Sequence, residues 1–556
     1  MAGLGILTPL LTILLFFCMG ALSVRESYDL LEAVLDGTAR RPALSNHMLV
    51  NGKVRELHGT HHPLVSPVPQ LESGKLPEQE GLPVIADIVH ATGDNARQCV
   101  RAADEAFRNR EWADASWGER AACLADFRDQ MAVKRELLVR LLMLEIAKTR
   151  KDAEAEVDRT LEYIDLTVGV MHEQAGKEQI LYERTPGKLY ERRSVRPKGV
   201  TVVLAPSNYP LNETFTTLIS ALAVGNTVVA KAAKQGVLTL MALLPDFAEC
   251  FPPGVVNVFS GDHDTVEAMA QTGDIAIFSF FGATNSGNKI RRKFAVEGPT
   301  QMELAMGAKN ILYVRADADI ALAVKVAVDG AFSYNGQRCT AVKHVIVHAA
   351  VAEEFQKQYV LAVDALKSGR PEEPGVRVTP LLNPQAVQHQ QNFVRDAVSQ
   401  GASVANNPQL RPDLGLAYYP PTVLTGVTRD MNIYHEEQFG TVIPVTVVQD
   451  DAEAIEVYAE SQFGQQASIV TQANPLDVDF SRLTRSIGAY VQQVLINMPP
   501  ARGPEGKPFG AAHPNSAVGQ NQDFRSNLPH VFGREHFEEI PVASLTPEQR
   551  ASAVAL

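Results

Sequence analysis

Beyond residue 197 the apolar positions of this chain fall into short β-branched runs, separated by stretches in which apolar residues recur three and four apart. The runs 200–205, 227–231, 255–260 and 275–281 read as strands, and 212–224, 238–249 and 264–271 as the helices between them. A second series follows, with strands at 311–314, 345–347 and 442–448 and helices at 320–332, 351–366 and 384–400. Such alternation predicts parallel sheets flanked by helices. Upstream, 95–109, 117–142 and 148–170 have helical spacing, whereas 25–83 is polar and Pro-rich and reads as a linker or irregular arm. Residues 1–24 carry no charge before Arg25 and read as a signal-peptide core or signal anchor, since about 20 apolar residues can span a bilayer. A basic start is missing and Pro9 interrupts the run. A buried N-terminal helix or a misassigned start remain the alternatives.

Composition narrows the class. With 556 residues, 45% apolar and 21% charged, the chain is a folded protein of two or three lobes. A formal net charge of −13 argues against nucleic acid as a partner, and an anionic substrate would need a local cluster of arginines. Five cysteines with no CxxC spacing point to reduced thiols. His58, His61 and His62 lie beside Gly59 and Thr60, which reads as a loop without acidic partners, so no metal is expected.

The segment Gly336-Gln337-Arg338-Cys339-Thr340 sets a cysteine between a cation and a hydroxyl, and an adjacent Arg would lower the thiol pKa. Asn208 follows a strand and precedes a helix, where an amide can be aimed at a developing oxyanion. Gly282-Ala283-Thr284-Asn285-Ser286-Gly287 is a glycine turn into a helix start, an arrangement that receives a diphosphate.

In this order the segments resemble the aldehyde dehydrogenase superfamily over roughly residues 85–540. The resemblance implies Cys339 as nucleophile and Asn208 as oxyanion donor. It implies Lys231, Gly282, Thr284 and Gly287 as cofactor contacts, with Glu437 on the nicotinamide ribose and Phe439 against the ring. The stretches 330–343 and 500–509 resemble in particular the non-phosphorylating glyceraldehyde-3-phosphate dehydrogenases, whose substrate-phosphate contacts match Arg159, Tyr209, Arg338, Thr340 and Arg502. Lys234 stands where NAD-preferring relatives commonly carry a Glu, which favours NADP, with NAD as the alternative.

One motif departs. Where the superfamily reads Glu-Leu-Gly-Gly-Lys, this chain reads Glu303-Leu304-Ala305-Met306-Gly307-Ala308-Lys309. If Ala305-Met306 is an insertion, Glu303 is the general base; without a gap, Ala305 takes its place. We take Glu303 as the expected base.

The expected fold is α/β and aldehyde dehydrogenase-like. It has a leader at 1–24, an arm at 25–83, a Rossmann-like cofactor domain at 84–305 and an α/β catalytic domain at 306–492. Residues 493–556 return to the cofactor domain, and 181–195 with 531–540 form a small β arm for a dimer or tetramer. The implied activity is oxidation of glyceraldehyde 3-phosphate to 3-phosphoglycerate with NADP. Another small aldehyde, or a leader-anchored non-catalytic member, is the rival reading. Membrane contact is expected through residues 1–24 alone, with endomembrane or plastid entry and the cytoplasm as alternative locations.

Overall fold

A computed structural model describes residues 45–69, 78–79, 81–185, 188–297, 300–502, 510–518 and 532–555. The leader and the segments 503–509 and 519–531 lie outside them. Among the described residues no helix is long and apolar enough to cross a membrane.

The first α/β unit is an eight-stranded sheet. Its parallel centre runs Val256–Phe259, Thr227–Lys231, Val200–Leu204, Ile275–Phe281 and Gln301–Ala305. These strands are covered on both faces, which is why they read as continuous apolar runs. From Val200–Leu204 the chain builds outward to one side, then returns to build the other side from Ile275–Phe281. The strand order therefore reverses between these two, and the cleft beyond their carboxyl ends is where an open α/β sheet takes ligands. The helix Asn212–Val224 is buried along its whole length and backs this centre.

The second unit is a seven-stranded sheet, parallel except for the edge strand Ser403–Val404. Its strand Asn310–Val314 follows directly on the last parallel strand of the first sheet. The strand Gln493–Ile496 also belongs to it, so this unit runs slightly past residue 492 before the chain returns to the first sheet at Ala517–Val518. A four-stranded sheet joins Gly533–Pro541, Leu189–Pro197, Leu181–Thr185 and Val554–Ala555.

The stretch read as an irregular arm is in part regular. His47–Val50 and Lys53–Glu56 form a hairpin that extends the eight-stranded sheet, turned by Asn51 and Gly52 at φ 50 and 69. His61 and His62 lie on a strand that pairs with Leu82–Val89, and His62 stacks on His90 at 4.4 Å. The expected helix at 238–249 is two helices, Val237–Met241 and Leu244–Cys250, because Pro245 opens the second.

Candidate active site

Cys339 sits just before the strand Val342–His348, after a turn whose backbone is strained. Tyr334, Asn335 and Gly336 all have positive φ, a conformation that costs about 1–3 kcal/mol at a non-glycine residue unless its surroundings enforce it. Here they do. The Tyr334 hydroxyl donates to Ile146 O at 3.1 Å, and the Asn335 amide donates to Thr379 Oγ1 and Pro380 O at 3.0 and 3.1 Å. A Cβ on Gly336 would run into the Gly440 carbonyl. The Cys339 carbonyl accepts from Asn310 Nδ2 at 2.7 Å and Lys343 Nζ at 3.2 Å.

The thiol itself is not activated in the way its neighbour suggested. Burial pushes Cys339 up to about 11; the Glu213 carboxylate adds to the rise, and Lys343 and Arg502 oppose it. Arg338 points away, donating to Gly330 O at 2.9 Å, Ser333 O at 3.2 Å and Thr340 Oγ1 at 3.4 Å. The expectation that Arg338 acidifies the thiol is therefore corrected: its guanidinium braces the turn.

Asn208 comes to the same place from the first unit, its Nδ2 donating to Gln337 O at 3.0 Å, two residues before the cysteine. The loop carrying it is fixed by a pair that sequence reasoning missed. Lys148 and Glu156 form a fully buried ion pair, and Glu156 Oε1 also accepts from the amides of Leu211 and Asn212 at 3.0 and 3.2 Å. Lys148 Nζ lies 3.3 Å from the centre of the Tyr209 ring, an ammonium over a π face. Desolvation raises the Tyr209 pKa, against the pull of Arg338 and Arg159. Arg502 is ion-paired with Glu213, both nearly buried at 8% and 10% side-chain exposure.

On the cofactor side, the Gly282 amide bonds to Ala305 O at 3.0 Å, and Thr284 opens the helix Thr284–Glu297. Its hydroxyl donates to Asn515 O at 2.8 Å and accepts from the Gly307 amide at 3.3 Å. A Cβ on Gly307 would meet Glu437 Oε2 at 2.7 Å and Thr284 Oγ1 at 2.9 Å, so this backbone has to stay bare. Glu437 is held by the buried Lys343 at 2.7 Å, whose ammonium also lies 5.4 Å from the centre of the Phe439 ring. Lys231 ends its strand with its pKa lowered to about 8 by burial, Asp262 opposing, and its Nζ makes a weak 3.5 Å contact with Ala232 O. Lys234 is exposed. A half-buried ammonium with no strong partner among the described residues, a bare glycine cradle and a helix N-terminus at a strand-order reversal fit a dinucleotide.

Glu303 is elsewhere. Gln301–Ala305 pairs with Ile275–Phe281 residue for residue and without a bulge, Glu303 opposite Ser279 and Ala305 opposite Phe281 at the strand's end. Two residues along a strand share a face and lie about 7 Å apart. Glu303 is thus drawn back into the sheet, buried, accepting from Gln301 Nε2 at 2.7 Å and acting on Lys198. Lys309 meanwhile keeps a full set of acceptors in Ile433 O, Glu436 O and Gln438 Oε1, at 2.6 to 2.9 Å. In this pairing Ala305 stands at the end of the strand and Glu303 two residues before it.

The Asn208 amide thus meets the turn that carries Cys339, beside a cleft at the switch point of the sheet. The chain belongs to the aldehyde dehydrogenase family, whose model matches residues 80–527. It is 31% identical to an NADP-dependent glyceraldehyde-3-phosphate dehydrogenase of Streptococcus equinus over 73% of this chain and 83% of that one. It is 30% identical to a chloroplastic betaine aldehyde dehydrogenase of Atriplex hortensis, over 70% of this chain and 79% of the other. Among solved structures, the NADP-dependent glyceraldehyde-3-phosphate dehydrogenase of Bacillus halodurans, complexed with NADP, superposes with a TM-score of 0.79 at 28% identity, covering 90% of this chain and 99% of its own. The protein is an oxidoreductase of aldehydes that uses NAD or NADP.

Proposed function

We propose that the chain oxidises glyceraldehyde 3-phosphate to 3-phosphoglycerate with NADP, through a thioester on Cys339 and without inorganic phosphate. The observation that carries the reading is two arginines in protected settings: Arg338, next to Cys339 and donating to Thr340 Oγ1 at 3.4 Å, and Arg502, nearly buried in its ion pair with Glu213. Planar, permanently charged guanidinium groups beside a reactive thiol in an acidic protein match a phosphate dianion. Relatives at near-equal identity act on different aldehydes, so the weight rests on these arginines.

In this reading Cys339 Sγ attacks the aldehyde carbon, and Asn208 turns from the Gln337 carbonyl to the oxyanion, joined by the Cys339 amide. Arg159, Tyr209, Thr340 and Arg502 hold the phosphate, joined by Arg338 through its Nη1, whose contact with Thr340 Oγ1 is a loose 3.4 Å. The dinucleotide, when bound, supplies the hydride acceptor. Lys231 and Glu437 hold its riboses, Phe439 the nicotinamide ring, and Gly282, Thr284 and Gly287 the diphosphate. The Lys234 ammonium favours a 2′-phosphate, NAD being the alternative. The four-stranded sheet, with strands open at its edges, is the surface through which subunits join as a dimer or tetramer.

The Glu213–Arg502 pair favours a second reading, in which the substrate is an uncharged small aldehyde, since a carboxylate in that position repels a phosphate. Arg159→Leu separates the two. It should raise KM for glyceraldehyde 3-phosphate about ten- to hundredfold, the loss of one charge-assisted bond of about 1.5–3 kcal/mol, and raise KM for glyceraldehyde far less. Equal effects on both substrates would favour the uncharged aldehyde.

A further inference from the structure

Lys148 stands in the short link between the helices Arg135–Ile146 and Arg150–Glu178, and it is fully buried in its ion pair with Glu156. No step of the reaction uses this ammonium. A buried pair is also a poor way to stabilise a fold, because desolvating two charges offsets their attraction and an apolar pair of similar volume does as well or better. What such a pair can do is hold its neighbours in one arrangement, since a shift that separates the charges leaves each of them buried and uncompensated.

The neighbours are the two halves of the site. On one side, Glu156 takes the ammonium on Oε2 and receives on Oε1 the amides of Leu211 and Asn212, which close the loop that carries Asn208. The ammonium lies 3.3 Å from the centre of the ring of Tyr209, the next residue after Asn208. On the other side it lies 4.6 Å from the ring centre of Tyr334, at the head of the strained turn that leads to Cys339. The two rings stand edge to face, 6.0 Å apart at 85°, and the cation draws on both. The backbone of the link grips the same turn. Ile146 O accepts from the Tyr334 hydroxyl at 3.1 Å, and Ala147 O accepts from Thr379 Oγ1 at 2.6 Å. Thr379 Oγ1 accepts in turn from Asn335 Nδ2 at 3.0 Å. Ala147 itself is held at φ 53, a left-handed conformation that an alanine adopts only when its surroundings enforce it. Residues 146 to 148 therefore reach both the loop of Asn208 and the turn of Cys339.

We propose that Lys148 is a positioning residue that fixes the spacing between Asn208 and Cys339, its ammonium being the pin on which the oxyanion loop and the nucleophile turn both rest. The inference rests on the reading of those two residues as oxyanion donor and nucleophile. An amide stabilises an oxyanion only from hydrogen-bonding distance, and the place of the oxygen is set by the sulfur that holds its carbon. A misplacement of about 1 Å between the two can cost about 10²-fold in rate. Lys148 acts through Glu156, Tyr209 and Tyr334, not on the reacting atoms.

The test removes both charges at once, in Lys148→Met combined with Glu156→Gln, which leaves no buried ion without its partner and should unfold in urea near the wild-type midpoint. Two reactions of Cys339 are then compared. Acylation by p-nitrophenyl acetate, which needs neither dinucleotide nor a phosphorylated substrate, uses the Asn208 amide and the sulfur together. Alkylation by iodoacetamide uses the sulfur alone. The burst of p-nitrophenolate should slow about 10²-fold in the double variant. Alkylation should proceed at the wild-type rate, because the pair as a whole is neutral and its removal leaves the field at the thiol unchanged. Asn208→Ala should slow acylation to a similar extent. Adding Lys148→Met and Glu156→Gln to Asn208→Ala should slow it no further, because the donor that they position is gone. A merely structural pair would show no such dependence on Asn208.

Acylation at the wild-type rate in the folded double variant overturns the proposal. So does a slowing that multiplies with that of Asn208→Ala, or alkylation that falls in step with acylation. If the double variant does not fold, Tyr334 decides. Tyr334→Leu takes a ring away from the ammonium and should acylate roughly tenfold more slowly than Tyr334→Phe, which keeps the ring; equal rates overturn the proposal. A wild-type protein with no acetyl group on Cys339 by mass spectrometry, or an Asn208→Ala variant as fast as wild type, overturns the reading of the site and this inference with it. Failure confined to the Lys148 and Tyr334 variants overturns the inference alone.

Discussion

The segment 333–343 around Cys339 and the strand Gln301–Ala305 with its extension to Lys309 are built in opposite ways. In the first, two non-glycine residues are held at positive φ by bonds to Ile146, Thr379 and Pro380, and the Cys339 carbonyl has two donors. In the second, the backbone is regular, its pairing has no bulge, and the residue at the chemically useful end is alanine. Strain held by many partners fixes a side chain in one place. A regular strand fixes which residues share a face, and a change of sequence can move a functional group along that face at little structural cost. The thiol side is therefore intolerant of substitution, and the strand side tolerates a change in which residue stands at its end.

The contrast is broken most severely at Glu156. Glu156→Gln leaves the ammonium of Lys148 buried without its counter-charge and weakens the support of the Leu211 and Asn212 amides. Removing one partner of a buried pair costs about 3–5 kcal/mol. Urea unfolding should register a loss of that order, with oxyanion stabilisation by Asn208 impaired in the protein that remains folded. Glu303→Gln, which preserves the shape of a buried side chain bonded to Gln301, should cost less. Equal losses would mean that the strand side is as tightly specified as the thiol side.

Much of this was legible in the sequence because buried parallel strands announce themselves as unbroken apolar runs, as at Val200–Leu204 and Ile275–Phe281. The hairpin at His47–Glu56 was missed since each strand has four residues, although Asn51-Gly52 was a usable turn signal. Lys148 and Glu156 left no trace because a charge eight residues from its partner on a helical stretch looks solvated; its burial is a tertiary fact. Glu303-Leu304 resembles the start of a familiar motif, and that Ala305 rather than Glu303 stands at the strand's end is visible only in the strand pairing. Glu213 was invisible for a different reason: acids are expected in a helix's first turn, so nothing marked it as the nearly buried partner of Arg502.

A second prediction sharpens the thiol side. Cys339 is pushed up to about 11 by burial, with Glu213 adding to the rise, against about 8.5 for an ordinary cysteine. The thiolate is the reactive form, so alkylation of Cys339, followed by mass spectrometry, should rise about tenfold per pH unit from 7 and level off near 11. Glu213→Gln should move the inflection down, since it removes a negative charge. The sign for stability is fixed as well. The folded chain keeps the proton where the unfolded chain has lost it, so stability falls as pH rises from about 8.5 towards 11. An inflection near 7 would instead restore Arg338 as an activating neighbour.

The smallest expected effect tests the far end of the cleft, where neither strain nor burial fixes the side chain. Lys234 is exposed, so its charge is screened, and a single surface ion pair is worth about 0–1 kcal/mol. Lys234→Glu both removes an attraction to the 2′-phosphate of NADP and adds a repulsion. The ratio of kcat/KM for NADP over NAD should therefore fall about tenfold, and the fall should shrink as salt is raised because both terms are screened. Lys231 guards the comparison. It sits one turn of chain away with its pKa lowered to about 8 by burial, so a change in cofactor affinity arising there would follow pH through 8 and resist salt. An unchanged ratio in Lys234→Glu would make Lys234 a solvated surface residue and leave the choice of dinucleotide to groups deeper in the cleft.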